Sequence, residues 1–435
     1  MKEIDRILAA AAKLGKAMAA CGANLERVDL AMAKIIHAYG AHDIAIHSLS
    51  TSISIAATKN GERSVYQTSV LPVDLDLDRL KELNGLALRI IDEKPDPASV
   101  PFMVAEIVKK PQQAWYISLV GFVIAMACLC RIFGGGWQEI VIAELNTLIM
   151  FGISRFAAKY RLNRFIVNFI SMFIASGFGL LFTYIGFVNS FYIVITTNAF
   201  YLINGVGMVN AVRNLLSGKE SNGVIELLKV AIEIVSIVAG LGAALYAMGQ
   251  WHKPEIQEII GYSPSDFLGY LELVVLSFLA SFGFGMVFRI KPRDLIFAAL
   301  GGALIRIVYI LMMLAVPEYR IVYSSIAAFS AALYAEILGH IRKEPSTLYL
   351  YPSIVPLIPG DLFYYFGLGI IWNNPQMIAY GPDCLLQLVA ISVGFGVCSS
   401  TVFWVKRIKF RKIMASIESL VHHPKPAESE APEEK

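Results

Sequence analysis

The sequence predicts an α-helical polytopic membrane protein. Ten transmembrane helices form an inverted five-plus-five repeat behind an N-terminal cytoplasmic α/β domain. Three observations carry this prediction. Apolar residues fill 56% of 435 positions and charged residues only 16%, against roughly 25% charged in soluble domains; mean hydropathy is +0.60. The charge is uneven: 28 charged residues fall in the first 112 positions, 31 in the next 293 and 12 in the last 30. A water-facing surface over the middle block would need far more. Finally, apolar runs of about 20 residues, the length that crosses a bilayer, recur from Trp115 onward. The pattern excludes a cytosolic globule, a disulfide-stapled secreted domain and a nucleic-acid binder. A net charge of +3, with its basic residues at the edges of apolar runs, gives no footprint for a polyanion.

Residues 1–110 read as the soluble head. Helical spacing of apolar residues covers 4–19 and 25–39, and Gly40 stops the second helix. His42–Leu49 and Ser52–Thr58 alternate as strands. Asn60-Gly61 is a strong hairpin signal, returning the chain as Arg63–Val70. Leu77–Asp92 and Pro97–Lys109 read as helices. His42 and His47 are five apart, so a regular strand would point them to opposite faces, against a metal site. The five cysteines form no CxxC or Cys/His spacing and read as small buried apolar groups.

Ten spans follow: 115–133, 138–154, 165–186, 189–212, 223–248, 266–288, 294–316, 321–340, 352–372 and 383–405. With the head inside, the inside loops and C-terminal flank carry 16 Lys and Arg residues. The outside loops carry three, Arg131, Lys253 and Arg320. That bias fits the positive-inside rule with both termini cytoplasmic, in the cell membrane. The units are then the head (1–110), repeat 1 (111–250), repeat 2 (251–405), and a basic flank with a polar, acidic, disordered tail (406–435). Five spans per half force opposite orientations on the two halves.

Spans 4 and 9, each fourth in its half, carry helix breakers near the middle: Asn204-Gly205 with Gly207, and Pro356 with Pro359-Gly360. A broken helix frees backbone polar groups that lipid cannot satisfy, so matched breaks point to a transporter binding site. The plain alternative is a structural kink. Ionisable residues inside spans are Glu144, Glu226, Glu233, Glu272, Arg306, Glu336 and Asp361. Each costs roughly 2.5–3.5 kcal/mol at the bilayer centre. Asp361, beside the second break, is the first candidate for a substrate amine or a proton. Glu233 and Glu144 are candidate proton carriers, and Arg306 needs an ion partner. Asn146, Asn168, Asn198, Asn204, Asn210 and Asn214 suit a small zwitterion or, equally, helix–helix hydrogen bonds. The glycines of the Gly-Phe-Gly runs at 177–179, 283–285 and 394–396 read as close helix packing and allow a homo-oligomer. No enzyme signature appears: there is no HExxH and no Gly-x-Ser-x-Gly.

Three stretches resemble the threonine/serine exporter family. The head has Gly22-Ala23, Glu26-Arg27-Val28 and Ala38-Tyr39-Gly40; span 4 has LINGVGMVNAVRNLLSGKESNG (202–223); span 9 has PSIVPLIPGDLFYYFG (352–367). The sequence departs from the family pattern where Asn204 replaces a usual Pro and Asn214 a usual Asp. The resemblance implies secondary export of small hydroxy-amino acids by proton antiport, without a cofactor. A dicarboxylate such as succinate is the alternative substrate, and an uncoupled channel the alternative mechanism. Substrate is expected at Asn204, Gly205, Asn210, Pro359, Gly360 and Asp361, its carboxylate meeting N–H groups near Gly205 and Gly360, with protons on Glu233, Asp361 or Glu144. The expected partners are the amino acid, protons and the lipid bilayer. A head that senses a regulatory ligand is a further reading.

Overall fold

In a computed structural model, the described residues are 2–49, 51–70, 75–216, 218–249, 264 and 266–421. The expected acidic tail and Lys253 lie outside them. Side chains are described to Thr401, except those of Gly360, Asp361, Phe363, Ile371 and Ser399.

The N-terminal segment opens with two amphipathic helices, α1 (Glu3–Ala20) and α2 (Leu25–Ala38). Three antiparallel strands follow in sequence order: β1 (His42–Ser48), β2 (Ser52–Lys59) and β3 (Glu62–Ser69). Ile53, Ile55 and Ala57 of β2 are buried in one core with Ile4, Ile7, Leu8, Ala11 and Leu14 of α1, the period of two meeting the period of 3.6. Asn60 and Gly61 both take positive φ (52° and 78°), closing the expected hairpin. Helices α3 (Leu77–Glu93) and α4 (Val100–Lys109) complete the segment.

A local irregularity in β1 brings His42 and His47 to the same face. Asp43 adopts φ 50°, and the register slips between His42↔Thr58 and Ala45↔Ala56. A bulge adds one residue. His47 pairs with Ser54, four positions from Thr58, so both histidines lie on one exposed face. No cluster of three metal-ligating side chains occurs among the described residues.

The rest of the described chain is helical: α5 (Trp115–Ile132), α6 (Trp137–Tyr160), α7 (Arg164–Tyr184), α8 (Phe191–Leu202), α9 (Gly205–Leu216) and α10 (Glu220–Ala247), then α11 (Phe267–Val287), α12 (Pro292–Ala315), α13 (Arg320–Arg342), α14 (Thr347–Ile354), a 3₁₀ turn (Val355–Leu357), α15 (Gly360–Trp372), α16 (Pro375–Ile378) and α17 (Tyr380–Val421). Among the described residues, seven helical stretches are long and apolar enough to cross a membrane; the bent pair α8–α9 makes eight. Their apolar side chains face outward as well as inward: Val120, Leu148, Leu271 and Leu311 are all exposed. Exposed Trp115, Trp137, Tyr184 and Tyr246 stand at helix ends, where amphipathic rings prefer the membrane–water boundary.

Small residues let the helices approach. Gly121 of α5 and Gly283 of α11 face one another so closely that a Cβ on either would lie within 2.6 Å of the other's carbonyl oxygen. Gly240 of α10 sits as closely on Phe169 of α7, and Gly394 of α17 on Ser325 of α13. The N-terminal segment is bonded to this bundle at one end. The Leu77 N–H donates to the Phe288 carbonyl at 3.1 Å. Lys219 pairs with Asp29 at 2.7 Å, and Asn222 donates to the Ser48 carbonyl at 2.9 Å.

Candidate functional site

The two breaks meet. Helix α8 ends at Leu202 and α9 departs at 62°. The Asn204 side chain accepts the Gly207 N–H at 3.0 Å, acting as the cap of α9, and the Gly205 N–H is taken by the Ile203 carbonyl at 3.0 Å. Opposite, α14 passes through the 3₁₀ turn and restarts at Gly360 after Pro359. A Cβ on Gly205 would lie 2.8 Å from Cδ1 of Ile358. Asn210 donates to the Tyr351 hydroxyl at 3.3 Å, and Thr196 and Tyr365 share a hydrogen bond of 2.7 Å. Along these contacts one segment's numbering rises as the other's falls, so the two broken segments lie antiparallel with their breaks in register.

The second break has a different chemistry. Pro359 offers α15 no side-chain cap. Side chains from two neighbouring helices hold the break's carbonyls instead. Arg306 of α12 donates from Nη2 to the Pro356 oxygen at 3.1 Å, and Gln387 of α17 donates from Nε2 to the Leu357 oxygen at 3.2 Å. Arg306 also donates from Nε to Ser277 at 2.8 Å and lies over the Tyr309 ring. Among the described residues it has no carboxylate partner, although the sequence called for one. Ile305, Arg306, Tyr309, Pro356 and Leu357 line a narrow recess at this point.

The other candidates are dispersed. Glu233 forms an ion pair with Arg164, the first residue of α7, at 3.0 Å. The 28-residue α10 therefore runs well past α7 at this end, and Glu233 stands level with a helix terminus rather than midway. The Asn204 backbone lies beside the same carboxyl. Both oxygens of Glu144 are buried without a hydrogen-bond partner among the described residues. The Asp361 side chain lies outside the described residues. Glu272 pairs with Arg131 at 2.6 Å, and Glu336 pairs with Arg27 of the head motif, both bonded to Ser346. Asn214 donates to Glu226 at 3.1 Å, where an ionised Asp would set two like charges together. Asn146 and Asn198 bond each other at 2.9 Å, the plainer of the two roles for these asparagines.

Two buried acids escaped the sequence reading. Glu139 of α6 accepts the N–H groups of Gly136, Asn189 and Ser190, while Asp294 of α12 accepts from Lys81 and Arg342. Each is the third residue of a 24-residue helix. Asp294 follows Glu139 by 155 positions, as Gly360 follows Gly205. That constant spacing is the signal that would have found them.

A family model described as threonine/serine exporter matches residues 9–248, and a second model of the same description matches residues 273–401. The chain belongs to the threonine/serine exporter family. It is also 18% identical over 415 residues to a threonine/serine exporter of Corynebacterium glutamicum, covering 93% of this chain and 83% of that one. No solved structure matches. Family membership and the apolar helices together make this a membrane-integral protein of an exporter family. The first matched region includes most of the N-terminal segment and the Asn204-Gly205 break, the second the Pro359-Gly360 break.

Proposed function

We propose that the protein is a secondary active exporter of small amino acids of the threonine/serine type, coupled to protons by antiport. The observation that carries the reading is the contact of the two breaks, Gly205 on Ile358. Paired interruptions facing each other inside a bundle are the arrangement expected of a transporter site.

The count of ten spans is reached by adding α10 and the broken α14–α15 segment to the eight. Related contacts in the two halves support an inverted repeat of 111–250 and 251–405 behind a head of 1–110. Helices α7 and α10 pack as α13 and α17 do, and α6 with α8 as α12 with α14. Glu139 lies one helix crossing away from the head, whereas its counterpart Asp294 touches Lys81 of α3. Charge bias places the head and C-terminus in the cytoplasm, in the cell membrane.

Substrate binds where Asn210, Gly205 and Pro359-Gly360 converge, with Asp361 next to the second break. Because Asn204 already satisfies the first break, the substrate carboxylate is directed to the second. Protons load on Asp361, Glu144 or Glu233; among the described residues Glu144 has no cation beside it, whereas Glu233 pairs with Arg164. Rocking of the halves alternates access. The test is flux of labelled threonine, serine and succinate in proteoliposomes, with and without a proton gradient. Gradient-dependent threonine or serine flux is expected, falling in Glu144→Gln or Asp361→Asn. Succinate flux alone would replace the substrate. Flux indifferent to a collapsed gradient would mean a channel.

A further inference from the structure

We infer that Arg306 and Gln387 form an α-amino acid clamp on the second break, Arg306 taking the carboxylate and Gln387 the ammonium. This rests on the exporter reading and deepens it. Arg306 belongs to α12 and Gln387 to α17, helices in different parts of the chain, yet both reach the same 3₁₀ turn. They bond consecutive carbonyls, Pro356 and Leu357. The two carbonyls belong to adjacent residues, so both side chains end beside the same short stretch of backbone.

Their remaining capacities are complementary. The guanidinium carries five N–H donors; Nε and Nη2 are engaged with Ser277 and Pro356. It retains donors and a full positive charge, with no carboxylate partner among the described residues. A guanidinium left in a bilayer without a counter-ion is costly, and one that waits for a mobile anion gains it with each substrate bound. Gln387 is only 5% exposed, and its Oε1 has no hydrogen-bond partner among the described residues. An amide oxygen is an acceptor only, which suits an ammonium and not a carboxylate. A zwitterion thus satisfies both ends, while a carboxylate alone or an amine alone satisfies one. The recess beside Arg306 is walled by Ile305, Tyr309, Pro356 and Leu357, which suits a short side chain. In this conformation it is too narrow for water, so binding requires α12 and the 3₁₀ turn, both in the second half, to separate.

The experiment is threonine counterflow in proteoliposomes of the full chain, with threoninamide and 3-hydroxybutyrate as competitors. Arg306→Gln should raise the threonine KM about 10- to 100-fold, the range of a lost charged hydrogen bond. Weak competition by threoninamide, which lacks the carboxylate, should stay nearly unchanged. Gln387→Leu should raise the threonine KM but leave competition by 3-hydroxybutyrate, which lacks the ammonium, nearly unchanged. Should Arg306→Gln not reach the membrane, Arg306→Lys decides: it keeps the charge, loses the fork, and should lose threonine affinity selectively. Unchanged threonine KM in folded Arg306→Lys and Gln387→Leu overturns the clamp while leaving the exporter reading intact. Failure of the wild-type chain to move threonine or serine overturns the exporter reading itself.

Discussion

The two breaks touch one another and solve the same problem differently. At Asn204-Gly205 closure is mainly local: the Asn204 side chain caps the Gly207 N–H and the Ile203 carbonyl takes the Gly205 N–H, with the Glu233 carboxyl beside the Asn204 backbone. At Pro356–Gly360 closure comes from outside, through Arg306, Gln387 and the Cys384 thiol facing the Pro359 oxygen at 3.6 Å. A self-capped break is a finished piece of backbone. A break held by long polar side chains from other helices keeps spare donors and acceptors at its edge, and that is what a ligand needs. Matched helix breakers therefore need not mean matched chemistry.

Filling the contact between the breaks should have the largest effect on flux. Gly205→Val puts two methyl groups against Ile358 and should cut flux roughly tenfold, as overpacking does, with helix content by circular dichroism unchanged. A variant with wild-type flux would mean the breaks need not meet.

The paired acids come next. Asp294→Asn takes one of two carboxylates from Lys81 and Arg342, leaving them Glu344, and should cost about 2–3 kcal/mol. Glu139→Gln keeps an acceptor for backbone N–H groups and should cost only about 1–2 kcal/mol. Thermal unfolding in detergent checks the order; equal losses would deny the difference between the two ends.

Removing the self-made cap is a smaller change. Asn204→Ala should cost about 1 kcal/mol in the same assay and lower flux without abolishing it. Loss as large as that of Gly205→Val would give Asn204 a role beyond capping.

The smallest effect is the pH dependence of head docking. Desolvation pulls the Lys81 ammonium down, but hydrogen bonds to Asp294 and Glu344 outweigh it and hold its pKa above the ordinary 10.5. Its contribution is therefore complete below about pH 10.5 and lost only as pH rises through the elevated value. Protease sensitivity of residues 75–114 should stay flat from pH 7 to 9 as far as Lys81 is concerned. A rise within that window, absent from Lys81→Met, would contradict the sign.

Much of the helix layout was legible in the amino acids because local rules govern it. The lipid-length apolar runs from Trp115, the Asn60-Gly61 turn and the breakers at Asn204 and Pro359 act within a few residues of themselves. Partnership was not legible, since it joins residues far apart in the chain. Periodicity cannot reveal that Glu233 meets Arg164 at the end of α7, or that a bulge at Asp43 puts His42 and His47 on one face. Nor can it reveal that Arg306 finds carbonyls rather than an acid. The sequence by itself determined that there are two breaks and where they fall, because prolines, glycines and Asn204 act on their own backbone. Only the tertiary structure decided that the breaks touch and that one is left with unspent polar groups, because those groups arrive from helices more than 25 residues away.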